Sequence, residues 1–250
     1  MNLSINIKSL LILIIGFIGF TVIGTISHEY GHIIVAKLFG YETTLHYGSM
    51  NYYPKGYLDD KDVVEVKNLT KDYMNIDYNS WPKNVKEKTE EYNKIIQKRY
   101  WNESSNKGLL VIIGGFLQTI LTGTFGLFIL LWRRKFIFKN GMKPLDWIAV
   151  FLSLFWLREV FNLVTSIGGE LLSPNGTWFG GDELHISQDL NLWDGTIPII
   201  FATIGFTISI YIIFRILPRK IRLTFILSGF IGGMVGFILW MNIIGPKVLP

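Results

Sequence analysis

Five long apolar runs divide the chain, and the polar residues fall almost entirely between them. The first is SLLILIIGFIGFTVIGTIS, residues 9 to 27; its helical character continues to about Phe39 before Gly40 ends it. The others run from Gly108 to Trp132, Leu145 to Ile167, Ile197 to Leu217 and Leu223 to Ile244. Each is close to the ~20 residues needed to cross a ~30 Å hydrocarbon core. The pattern predicts an all-α polytopic membrane protein with about five transmembrane helices. The third run carries Arg158, Glu159 and Asn162 near its middle.

The polar stretches complete the plan. Residues 41–107 form the one substantial polar insertion. It begins with YETTLHYGSMNYYPKGY, rich in Thr and Tyr around a Gly-Ser turn, which reads as a β-hairpin. It ends with WPKNVKEKTEEYNKIIQKRYW, a charged helix started by Pro82 with a thin apolar stripe of Val85, Tyr92 and Ile96. That helix can lie on a membrane surface, anchored by Trp81 and Trp101, or stand in solvent. The organisation is therefore 1–40, the first span; 41–107, the insertion; and 108–250, spans two to five with a Gly-rich, partly ordered loop over 168–196. RRKFIFKNGMK and PRKIR read as a basic loop and a short turn between spans.

Composition agrees with this plan: 50% of residues are apolar, 15% are aromatic and mean hydropathy is +0.35. The net charge of +5 and pI near 9.2 do not point to nucleic acid, because the cations cluster beside the apolar runs. Lys8, Arg133, Arg134, Lys135, Lys139, Lys143, Arg219, Lys220 and Arg222 fall on one side of a five-span topology, which predicts a multi-pass cell-membrane protein with a cytoplasmic N-terminus. The apolar N-terminus resembles a signal peptide, but no small-residue cleavage site follows, so it reads as a retained span. There are no cysteines, so any metal must be held by His, Asp and Glu.

The chemistry lies where the first span ends, in TISHEYGHIIVAKLFG, residues 25 to 40. His28 and His32, four apart on a helix, share a face and can both reach one Zn2+ ion. Glu29 is turned about 100° from that face, where it can take a proton from water instead of ligating. Ionisable groups in a membrane helix cost about 2.5 kcal/mol or more each, so they persist where partners or a water-filled cavity receive them. A third ligand has to come from downstream. Asp182, Glu183, His185 and Asp194 all lie in the connection that joins spans three and four on the motif's side, and Glu159 lies within span three. Arg158 and Asn162 share a face, either as a polar network lining the site, with Asn162 contacting substrate, or with the arginine paired to a neighbouring carboxylate. His46 and His185 read as ordinary polar residues.

HEYGHIIVAKLFG resembles the H-E-x-G-H-x-x-x-A-x-x-x-G signature of site-2 protease-type intramembrane zinc metalloproteases, through His28, Glu29, Gly31, His32, Ala36 and Gly40. GGFLQT, residues 114 to 119, is similar to that family's Gly-rich motif, often G-P-L-x-N, with Phe116 in place of Pro and Gln118 or Thr119 in place of Asn. The family's third ligand is an Asp on a later span, usually in L-D-G after an Asn and a Pro. Here Asn162, Pro174 and FGGDE suggest Asp182, whereas LWDG offers Asp194. Asp182 is preferred because two glycines precede it and permit close approach, with Glu183 as its support or replacement. The resemblance implies a zinc cofactor, Glu29 as general base, hydrolysis of membrane-anchored protein or peptide substrates within the lipid bilayer, a substrate contact from Gln118, and an extended substrate paired to the hairpin. In some relatives the catalytic face is cytoplasmic, whereas the charge rule puts this motif near the external face. Two other readings are open: a zinc-binding membrane protein without hydrolysis, as transporter or inactive partner, and a soluble zincin domain tethered by spans.

Overall fold

The computed structural model describes residues 5–101, 107–174 and 176–249. The fold is all-α and polytopic, with five helical segments long and apolar enough to cross a membrane. Helix α1 (Ile7–Leu38) is followed by a hairpin of β1 (Glu42–Leu45) and β2 (Met50–Tyr53), then α2 (Lys61–Thr70) and α3 (Lys83–Tyr100). Helix α4 (Lys107–Asn140) is the second span. Helices α5 (Pro144–Ser153) and α6 (Leu157–Leu172), joined by a tight turn at Leu154–Trp156, make the third. A short helix α7 (Gly181–Asp189) precedes α8 (Thr196–Tyr211), and α9 (Arg222–Ile238) leads through a π-helical stretch to α10 (Gly245–Val248).

Local chemistry sets the element ends. Asn6 caps α1 by accepting from the Ser9 amide at 2.9 Å. At the other end Gly40 takes φ +78°, the Gly40 amide donates to Lys37 and the Tyr41 amide to Ala36. This pair of bonds is the Schellman closure, which explains the glycine of the motif's last position. At 32 residues, α1 is ~48 Å long, more than a bilayer core needs.

Between apolar helices in lipid the hydrophobic effect provides little drive, and close packing of small residues takes its place. Helix α1 lies between α9 and α4. On α9, Ser228, Gly232 and Gly236 are buried at four-residue spacing. A Cβ at Gly232 would come within 2.7 Å of the Ile14 carbonyl. On α4 the corresponding face is Gly115, Thr119, Gly123 and Gly126, all buried. The main apolar core, with Phe17, Leu130, Phe151, Ile216 and Phe225, sits at the end of the bundle where α1 begins and α4 ends. Its Phe20 and Phe151 rings stack at 4.7 Å. Large side chains such as Ile15, Phe128 and Trp132 point outward, as lipid contact requires.

Three sequence expectations need correction. The basic stretch from Arg133 is a continuation of α4 to Asn140 and not a loop. Arg133 folds back onto fully buried Asp146, its Nε donating to Oδ1 at 2.5 Å, so the first cation beyond the apolar run is neutralised inside the protein. Residues 61–70, for which the sequence signalled no element, form α2, started by Asp60 accepting from the Asp62 amide. The 168–196 connection is more regular than expected: α6 runs to Leu172 and α7 occupies its second half. The hairpin is as anticipated, with Thr43 opposite Tyr52 and Thr44 opposite Asn51. Pro82 caps α3, whose buried residues are Val85, Thr89 and Ile96; Thr89 takes the place of Tyr92 in the expected stripe.

Candidate metal centre

His28, Glu29 and His32 all lie within α1, and each is less than a tenth exposed. The cause of their burial is the α1–α4 crossing. A Cβ at Gly31 would come within 2.5 Å of the Gly114 carbonyl, and one at Gly114 within 2.6 Å of the Gly31 carbonyl, so the two backbones touch at a glycine pair. At the next residue of each helix, the His32 ring lies over Gly115, filling the space a side chain there would need.

Helix α4 also fixes both imidazoles. The His32 Nδ1 donates to the Val111 carbonyl at 2.7 Å. The Thr119 hydroxyl donates to the Gly115 carbonyl and accepts from the His28 Nδ1 at 2.9 Å. A neutral imidazole with its proton on Nδ1 has its lone pair on Nε2. Both lone pairs therefore turn to the same place: the two Nε2 atoms are 3.1 Å apart.

Asp182 arrives there from α7. Its Oδ2 stands 3.0 Å from His28 Nε2 and 3.2 Å from His32 Nε2, and no hydrogen bond satisfies it. Three electron-pair donors thus converge within 4.8 Å of one another, largely out of solvent. Such a convergence is costly unless a cation sits among the donors, and two imidazoles with one carboxylate suit a metal that accepts N and O ligands. The group can hold a metal ion.

Several contacts deliver α7 to this place. Gly181 takes φ +77°, a conformation open to glycine, and a Cβ there would strike the Glu183 carboxylate. Glu183 is buried and accepts from the Asn162 Nδ2 at 2.9 Å, tying the first turn of α7 to α6. Glu159, also buried and on the same helix as Asn162, lies against Glu183. Glu170 receives the amides of Gly176 and Thr177, which folds the connecting loop back over the end of α6. Asp182 is thus the acid brought to the histidines. Glu183, the next residue, is turned to Asn162, and Asp194 is exposed outside the group.

A cavity of about 360 Å³ opens beside the three donors. Glu29, Arg158 and Asn162 line it, and the hairpin contributes Gly48, Ser49, Met50 and Tyr52 as its roof. The roof is braced from the last span, where the Trp240 indole donates to the Tyr47 carbonyl at 2.6 Å. Gln118, expected at the substrate, is not on this cavity: it packs against Gly31 and donates to Thr122. His46 faces Asn51 and His185 is exposed, both away from the donors. Sequence reasoning missed the parts played by Val111, Gly115 and Thr119. Their four-residue spacing on one face of α4 was the available signal.

No protein-family model, curated protein or solved structure matches this chain, so the site has to be understood from its own atoms.

Proposed function

We propose that this chain is an intramembrane zinc metalloprotease that hydrolyses peptide bonds of membrane-anchored substrates. The observation that carries the reading is the placement of Glu29: this buried residue lines the same cavity as His28, His32 and Asp182, beside the donors but outside their convergence. A binding site needs the three donors; an additional buried carboxylate next to them fits a proton acceptor.

His28, His32 and Asp182 would hold the zinc ion, three protein ligands being the number that leaves a position open for chemistry. Bound there, zinc would supply Lewis acidity, polarising a carbonyl and lowering the pKa of water. Glu29 takes the proton from the attacking water and passes it to the leaving amine. Asn162 lies on the cavity wall within reach of an entering backbone, although its amide already serves Glu183. The hairpin roof offers an extended edge to a substrate segment that has unwound. By the distribution of basic residues, the chain sits in the cell membrane with its N-terminus cytoplasmic and the metal centre toward the external face.

The test is metal content and cleavage of a co-expressed membrane peptide, measured on detergent-purified protein. Wild type and Asp194→Ala carry zinc; His32→Ala and Asp182→Ala do not. Glu29→Gln keeps zinc and loses cleavage. A wild type without zinc removes this reading. Zinc with cleavage undiminished in Glu29→Gln removes the role of Glu29, and zinc with no cleavage in wild type favours a metal-binding membrane protein without hydrolysis.

A further inference from the structure

Arg158 carries a guanidinium that no acceptor among the described residues meets. It stands in the first turn of α6 and lines the cavity with His28, Glu29 and Asp182. Among the described residues it makes no hydrogen bond and no ion pair within 4.0 Å, and its Nε is closed off from solvent with no acceptor. The carboxylates around it, Glu29 of the same cavity included, make no hydrogen bond to it. Glu183 receives Asn162, Glu159 lies against Glu183, and the Oδ2 of Asp182 faces the two imidazoles. Arg133 shows what the same fold does with a structural arginine: its guanidinium closes on Asp146.

An arginine inside a membrane span is costly and is retained where it meets a partner or a pathway. Charge around the cavity points to the sign of that partner. A divalent cation among the donors would be balanced by Asp182 and Glu29, and Glu183 with Glu159 is held by its own contacts, so the guanidinium of Arg158 has no hydrogen-bonded acceptor of its own in the cavity. A guanidinium offers a planar fork of donors that matches a carboxylate in a bidentate pair, and low polarity strengthens that pair.

We infer that Arg158 selects substrates carrying a carboxylate beside the bond to be cleaved, supplied either by an acidic side chain or by the free C-terminus of the substrate. This inference rests on the protease reading for the identity of the ligand as a peptide, but not for the presence of an anion site. Arg158 then acts as a specificity residue: the carboxylate enters the cavity, closes on the guanidinium and fixes the register of the substrate against the metal centre and Glu29. A substrate with an amide at that position would fill the cavity without supplying the guanidinium's charged acceptor, which is why acid and amide should be discriminated.

The test is binding of fluorescent membrane-spanning Leu/Ala-rich peptides to the zinc-loaded Glu29→Gln protein in detergent. One pair of peptides differs by Asp or Asn in the flank, and a second by a free or amidated C-terminus. The acid form of one pair should bind about 10- to 100-fold more tightly than its amide, and the responsive pair identifies the source of the carboxylate. Adding Arg158→Gln should erase the difference with zinc content unchanged, and Arg158→Lys should restore part of it. Equal affinity for acid and amide in both pairs overturns the inference, as does discrimination that survives Arg158→Gln. If Arg158→Gln fails to fold, the acid-against-amide comparison on the parent protein still decides. Missing zinc or missing cleavage in wild type would instead count against the protease reading.

Discussion

The hydroxyl of Thr119 and the Nδ1 of His28, 2.9 Å apart across the α1–α4 interface, decide which nitrogen of that histidine is free. The hydroxyl's own proton goes to the Gly115 carbonyl, so it can only accept from the ring. Thr119→Val keeps the shape and removes the acceptor. Metal affinity should fall by about 10- to 100-fold, the usual cost of losing a partner that orients a ligand. Thr119→Ser should restore it. Competition with a zinc chelator measures both, and a Val variant as tight as wild type would remove Thr119 from the centre.

The glycines of the crossing should tolerate no side chain. Gly115→Ala puts a methyl group into the His32 ring, and Gly31→Ala or Gly114→Ala forces two backbones apart. Overpacking of this kind costs about 1–3 kcal/mol, and here it also displaces a ligand. Each variant should unfold at lower temperature in detergent and bind metal weakly. Gly19→Ala, where nothing lies within 4 Å, should do neither.

Asn162 and Glu183 are expected to act on the metal through Asp182. Asn162→Leu removes the bond that ties α7 to α6, leaving the Glu183 carboxylate buried without that donor. Unmaking such a bond costs about 1–3 kcal/mol. Zinc affinity should drop while the helical signal in circular dichroism stays. Hydrogen exchange should rise in residues 181–189, the α7 segment, and stay unchanged in α1. Unchanged exchange in α7 would show that other contacts hold it.

Outside the spans, the polar insertion has its own pH-sensitive joint. Arg99 pairs with Asp60 and donates to Asp62 at 2.8 Å, and Tyr100 donates to Asp60 at 2.9 Å. The Arg99 guanidinium holds the Asp60 carboxyl down to about 2. A carboxyl lowered on folding contributes stability that is complete above its unfolded value of about 3.9 and is lost as pH falls toward the folded value. The α2–α3 pair should therefore resist limited proteolysis at pH 5 as well as at pH 7 and loosen only below about 4. Asp60→Asn should be more easily cut at every pH in that range.

The apolar runs located every span, because ~20 uncharged residues have few other uses. They misjudged where α4 ends, since the run stops at Trp132 while Arg133 and Lys139 continue the helix by turning their charges to Asp146 and outward. The pairing of His28 with His32 could be read from spacing alone, because a helix converts four residues into one face. The third ligand could only be ranked. What separates Asp182 from Asp194 is the docking of α7, and that depends on Asn162, Glu159 and Glu170, which come from another span. The parts played by Val111 and Thr119 were equally hidden: a backbone carbonyl has no letter in a sequence, and a threonine in a span ordinarily bonds its own helix.

Asp182 also gives the protein an order of assembly. A chain made from its N-terminus inserts His28, Glu29 and His32 in its first span, and the acid that completes the donor set follows only after two more spans. At synthesis rates of roughly 5–20 residues per second, the interval is on the order of ten to thirty seconds. During that time two imidazoles and a carboxylate stand in the first span without the acid that meets them in the folded protein. The donor set is therefore complete only once the third span and α7 are in place.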